Sequence, residues 1–184
     1  MHEYVLRRKI VNKRKTTALV FASLMAAMSV IVMAIGILIP TGKLGFMALG
    51  SLFITAAVVE CGYKYALGAY AVSAILALII LPDKSLCMYY VLFFGYYPIV
   101  KSICEKMKNR KTGFIIKLCV FNAALTVMVL LLLEVLTVSF LTKLHGAVLY
   151  IAIYIVFNIA FILYDIGLSR LIGLYMTKIH GKIK

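Results

Sequence analysis

Acidic residues are scarce in this chain. Six Asp and Glu stand against 20 Lys and Arg, for a formal net charge of +14. There is no Trp and only three Pro. The four Cys match no zinc-site spacing, and with Cys61, Cys104 and Cys119 near one membrane boundary and Cys87 near the other, no disulfide framework is expected. No G-x-x-x-x-G-K-[ST], H-E-x-x-H or G-x-S-x-G is present, and His2, His145 and His180 are too far apart to cluster in one span. Paired acids suited to hydrolysis are missing as well. These absences exclude ATP binding through a P-loop of the chain's own. They leave an enzyme without a basis: no catalytic residue, metal site or cofactor is expected.

What the chain does have is apolar length. Of its 184 residues 65% are hydrophobic, more than a soluble domain of this size can hide. In hydrocarbon a backbone must close its own hydrogen bonds, which leaves helices or a closed barrel. Runs near twenty residues without dyad alternation select helices. Six spans are predicted, at 17–40, 44–61, 65–82, 86–104, 113–141 and 147–175. The expected organisation is a basic arm at 1–16, a six-helix transmembrane domain at 17–175 and a basic tail at 176–184, without internal repeat or second domain. The first apolar run is too long for a secretory signal peptide and ends in no small-residue cleavage site.

Charge orients the bundle. With the N-terminus in the cytoplasm, 17 of the 20 basic residues fall on inner segments, and only Lys43, Lys84 and Lys143 fall outside. Every connector obeys this positive-inside pattern, so both termini are expected in the cytoplasm of a multi-pass cell-membrane protein, with a bacterial plasma membrane the expected location. The positive charge then reads as topology plus attraction to anionic lipid, and nucleic acid is not an expected partner.

Polar groups inside spans carry the functional candidates, because a central Asp or Arg costs roughly 2.5–3.5 kcal/mol to insert. Glu134, within L-L-L-L-E-V-L of span five, can meet a polar substrate group, a cation or a proton; alternatively it is hydrated near the outer surface or pairs with Lys143 or His145. On span six Asn158, Asp165 and Ser169 share one helix face, spaced for ligand contact or for interhelical hydrogen bonding. Asp165 reads as structural, while Asn158 stands evenly between the two roles. Asn122 and Thr126 read as packing partners. Span four crowds Tyr89, Tyr90, Phe93, Phe94, Tyr96 and Tyr97 around Gly95 and Pro98. A kink is predicted near Gly95, and the aromatic wall is either a ligand surface or an interfacial belt. Tyr150 and Tyr154 stand in the same position at the outer end of span six. The basic elbow K-S-I-C-E-K-M-K-N-R-K at 101–111 reads as a solvated anchor, with an acidic partner as the alternative.

Span one opens T-T-A-L-V-F-A-S-L-M-A-A-M-S-V, in which Ala18, Ala22 and Ala26 recur every fourth residue. Leucine gains nothing hydrophobic by facing another helix in lipid, whereas a row of small side chains permits close backbone approach. Ala69, Ser73 and Ala77 form a second row on span three, read as internal packing. A six-helix chain of this length, with both ends inside and an A-x-x-x-A pair early in its first span, resembles the substrate-binding S component of energy-coupling factor vitamin transporters. The resemblance covers the whole chain in topology and the first span in motif. It implies that Ala18, Ala22 and Ala26 dock on a membrane coupling subunit, the T component, driven by two cytoplasmic ATPases. It also implies an outward pocket for a small-molecule micronutrient, which by location implicates Glu134, Tyr89, Tyr90, Tyr154 and Asn158. The T-G-K loop after Pro40 is shorter than that family often has. Two rivals stand beside this expectation: a non-transporting membrane scaffold, and a self-contained carrier or channel relying on Glu134 and Asp165.

Overall fold

The computed structural model describes residues 2–39, 42–136 and 146–177, with the side chains at 2–14 and 131–150 outside the description. Six of its helices are long and apolar enough to cross a membrane: Lys15–Leu38, Lys43–Cys61, Tyr63–Ile80, Lys84–Glu105, Arg110–Leu130 and Ile151–Tyr175. No strand occurs among the described residues. The chain is an all-α, six-span membrane protein, with span limits within a few residues of those expected for most of the helices.

The first helix, α1, runs His2–Leu38 without interruption. Its 37 residues extend about 55 Å at 1.5 Å each, against a hydrocarbon core of about 30 Å. The basic arm therefore continues the first span as helix instead of joining it through a coil. Helix α2, Lys43–Cys61, and helix α3, Tyr63–Ile80, are separated by Gly62 alone. That residue has φ 82 and ψ 169, a region essentially reserved for glycine, so the reversal between these spans depends on its missing side chain. Gly42, at φ 87, takes the left-handed conformation in front of α2.

Span four is not one regular helix. It starts as α4, Lys84–Tyr89, widens into a π-helical turn at Tyr90–Phe94, and resumes as α5, Tyr97–Glu105. The long fifth helix is α6, Arg110–Leu136, and the last is α7, Gly146–Tyr175. By contact the chain divides into two compact units, residues 1–117 and 118–184.

In the first unit, α1 packs along α2 and less extensively along α3. Close approach is achieved by small residues on both sides. A Cβ on Gly36 would come within 2.3 Å of the Phe46 Cβ, and one on Gly50 within 3.2 Å of Met33 Cγ and Ser29 Oγ. The core they define joins Ala22, Ala26, Val30 and Met33 of α1 to Met47, Ile54 and Ala57 of α2. From α3, Ala69, Ser73 and Ala77 are buried, as expected for internal packing. Leu19, Val20, Leu24 and Ile31 lie exposed on the opposite side of α1, the surface that lipid covers.

This arrangement corrects the expectation for the first span. Ala22 is 3% exposed and Ala26 1%, both within the core that α1 shares with α2 and α3. The notch is filled by the chain's own helices, and of the three alanines only Ala18 keeps partial exposure. The physical reason is the one that makes small residues useful at all. Any neighbouring helix profits from close approach, and the hairpin partner joined through a short loop reaches the notch first.

Candidate functional site

The most constructed region of the first unit surrounds the wide turn of span four. Gly95 N–H donates to the Tyr90 carbonyl at 2.8 Å, a bond reaching back five residues instead of four. The extra residue turns everything beyond it by about a quarter of a revolution relative to a continuous α-helix. Gly95 permits the close contact that accompanies the turn, since a Cβ there would meet the Tyr70 ring at 2.6 Å. The Tyr70 hydroxyl donates to the Val91 carbonyl at 2.8 Å, satisfying an acceptor in the disturbed ladder. Pro98 comes after the irregularity, in the first turn of α5, where its missing N–H costs nothing. The predicted distortion near Gly95 is present, but it is a π-turn tied down by tyrosine.

Tyr90 is fully buried and forms the centre of a polar knot. Its hydroxyl lies 3.0 Å from Ser29 Oγ of α1 and 2.8 Å from Ser73 Oγ of α3. Ser29 also donates to the Gly50 carbonyl of α2 at 2.9 Å, and Ser73 donates to the Tyr70 carbonyl at 2.9 Å. Three hydroxyl protons thus serve four short contacts, so Tyr90 links α1, α2, α3 and span four through a network with more than one proton arrangement. Tyr89, next to it, is half-buried against the same core. Ring contacts extend the cluster: Tyr70 lies edge-on to Tyr96 with centroids 6.1 Å apart, and Phe93 is 5.0 Å from Tyr97.

The second unit places the polar row of span six against α6. Asn122 and Asn158 exchange amide hydrogen bonds at 3.1 Å in each direction, and each also donates to a carbonyl one turn back in its own helix, at 2.9 and 2.8 Å. The Thr126 and Tyr154 hydroxyls meet at 2.7 Å, and the Phe121 and Phe161 rings stack at 4.5 Å. Asp165 is buried, and Ser169 donates to its backbone carbonyl at 2.9 Å.

Among the sequence-predicted binding residues, then, Tyr89 and Tyr90 are adjacent in the first unit, and Tyr154 and Asn158 are adjacent in the second. Tyr90, Tyr154 and Asn158 have their polar side-chain atoms engaged by neighbouring helices. Glu134 falls on α6, with its side chain outside the description, and Lys143 and His145 lie outside the described residues. Among the described residues no cluster of three or more metal-ligating side chains occurs.

Two features went unpredicted. Lys101 is only 1% exposed and pairs with Glu105 at 3.0 Å, so the elbow is not solvated throughout. Its neighbourhood opens into a cavity of about 440 Å³ at the junction of α5 and α6. On the opposite side of the membrane, Lys43 and Asp83 form a 3.4 Å pair, and Asp83 accepts from the Leu86 N–H to cap α4. Only the i, i+4 spacing of Lys101 and Glu105 was available in the sequence as a signal for the first of these.

Comparison with family models, curated proteins and solved structures finds no match to this chain. The class is therefore defined by the fold alone: a six-span α-helical membrane protein.

Proposed function

We propose that the chain is the solute-binding membrane subunit of an ATP-driven micronutrient importer, similar to the S component of energy-coupling factor transporters and resident in a bacterial plasma membrane. It would take a small polar or aromatic-bearing solute from outside and pass it on through a coupling subunit driven by two separate ATPases. The observation that carries the reading is the aromatic fourth span, where a π-turn, a disruption often found at functional sites, is held by Tyr70 and Tyr90 while Tyr89 stays partly open. A rigid aromatic wall suits recognition of a flat solute.

Docking through Ala22 and Ala26 is not available to this reading. Of the small residues of the first helix, Ser23 and Ala27 are exposed, one turn apart on the lipid side. Ser23 donates to the Leu19 carbonyl at 2.9 Å, so its hydroxyl is satisfied within its own helix. The test is Ser23→Leu with Ala27→Leu in the full chain. Retained solute binding with loss of the coupling subunit and of uptake is the expected result, and unchanged uptake rejects the docking face. Small molecules carried through a gentle purification and identified by mass spectrometry would name the solute.

A second reading, a non-transporting membrane scaffold, is favoured by the structural engagement of the intramembrane polar groups, as in the reciprocal Asn122–Asn158 pair. Under that reading the purified chain retains one protein partner and no solute.

A further inference from the structure

We propose that the cavity at the junction of α5 and α6 binds the phosphate-bearing headgroup of an anionic phospholipid from the basic side of the membrane. Arg110, Gly113, Phe114 and Lys117 line it from α6. Their spacing of three, four and seven residues places them on one stripe of the helix. Cys104, Glu105 and Met107 complete the wall from the end of α5 and the bend that follows. Gly113 allows the two helices to approach: a Cβ there would lie 2.7 Å from the Cys104 carbonyl oxygen. A larger residue would push the cationic stripe of α6 away from the α5 end.

The charge of the cavity is positive. Glu105 is the one carboxylate of the lining, against Arg110 and Lys117, and it pairs with buried Lys101 at 3.0 Å. Lys106, Lys108 and Lys111 stand exposed around the bend and add to the same field. Lys117 is 7% exposed, with its ammonium group 5.9 Å from the centre of the Phe114 ring, so its charge is held at a fixed place in partly desolvated surroundings. An anion entering there meets a stronger attraction than at the open surface.

The rim selects a lipid over a free anion. Met107 and Phe114 of the lining are each more than a third exposed beside the cationic stripe. Cationic pockets between helix ends, on the side favoured by basic residues, suit anionic headgroups, and this rim offers an acyl chain an apolar path. The inference goes beyond the importer reading and does not depend on it.

The test uses the full chain in nanodiscs of mixed phosphatidylglycerol and phosphatidylcholine, released for native mass spectrometry. The unmodified protein is expected to retain phosphatidylglycerol preferentially. Arg110→Gln should reduce that retention about five-fold and Arg110→Gln with Lys117→Gln further, by the usual weight of one basic residue near an anionic membrane. Lys108→Gln with Lys111→Gln, which removes two charges outside the cavity, should leave retention nearly unchanged. Equal loss in both double variants means diffuse attraction and overturns the site. Absence of phosphatidylglycerol enrichment overturns it too, as does inorganic phosphate raising the melting temperature of the unmodified protein but not of Arg110→Gln when phosphatidylglycerol does neither. Arg110 is exposed, so the single variant keeps the test meaningful if the doubly substituted chain does not fold.

Discussion

Three protons shared among four contacts make Tyr90 a tie between helices more than a donor in waiting. Removing its hydroxyl leaves Ser29 bonded to the Gly50 carbonyl and Ser73 to the Tyr70 carbonyl, so neither serine is stranded. Tyr90→Phe should therefore cost only about 0.5–1.5 kcal/mol, in line with interhelical hydrogen bonds measured in membranes. Unfolding in detergent micelles checks the value. Weakened solute binding by the same variant would mean that Tyr90 contacts solute as well. Lys101 illustrates the opposite case. Its charge is buried and paired with Glu105, so taking away the carboxylate would leave a desolvated ammonium group less well compensated.

At the scale of an element, the two faces of α1 should respond differently to the same side chain. Ala26 is 1% exposed inside the shared core, whereas Ala27 is exposed. Ala26→Leu should destabilise the fold by about 1–3 kcal/mol through overpacking. Ala27→Leu should stay within about 0.5 kcal/mol of the unmodified protein, as surface substitutions usually do. Thermal unfolding of the two variants in one detergent measures the difference, and equal effects would mean that the α1–α2–α3 packing is wrong. The helices themselves were legible in the sequence because hydrocarbon allows few alternatives: apolar runs of span length have to be helical. The destination of a small-residue row was not legible. Ala22 and Ala26 read equally well as a notch for a visitor or for a neighbour, and only the geometry of α2 and α3 decides between them. The distortion near Gly95 was readable from Gly and Pro, while its π-form depends on Tyr70 entering from another helix, which no local pattern encodes. Asn122 and Asn158 were each visible as polar exceptions. Their pairing joins residues 36 positions apart, beyond the reach of helical periodicity.

For the whole molecule, the distribution of basic residues predicts the sides of the membrane. The exposed positions 106, 108, 110 and 111 lie at one end of the bundle axis defined by span four, and Lys84 lies at the other. By the positive-inside rule the former are expected in the cytoplasm and Lys84 outside. Lys84 contributes little to the bias because its ammonium group is committed locally, donating to the Leu78 and Leu81 carbonyls at the end of α3. Topology should accordingly rest on the elbow and the arm more than on the outer lysines. The check uses a chain whose four cysteines are replaced by alanine, carrying either Lys84→Cys or Lys108→Cys, and a membrane-impermeant maleimide on intact cells. Lys84→Cys should label directly and Lys108→Cys only after permeabilisation. The reverse pattern would invert the protein, turn the α5–α6 cavity to the outer leaflet, and remove the anionic surface on which its lipid selectivity depends.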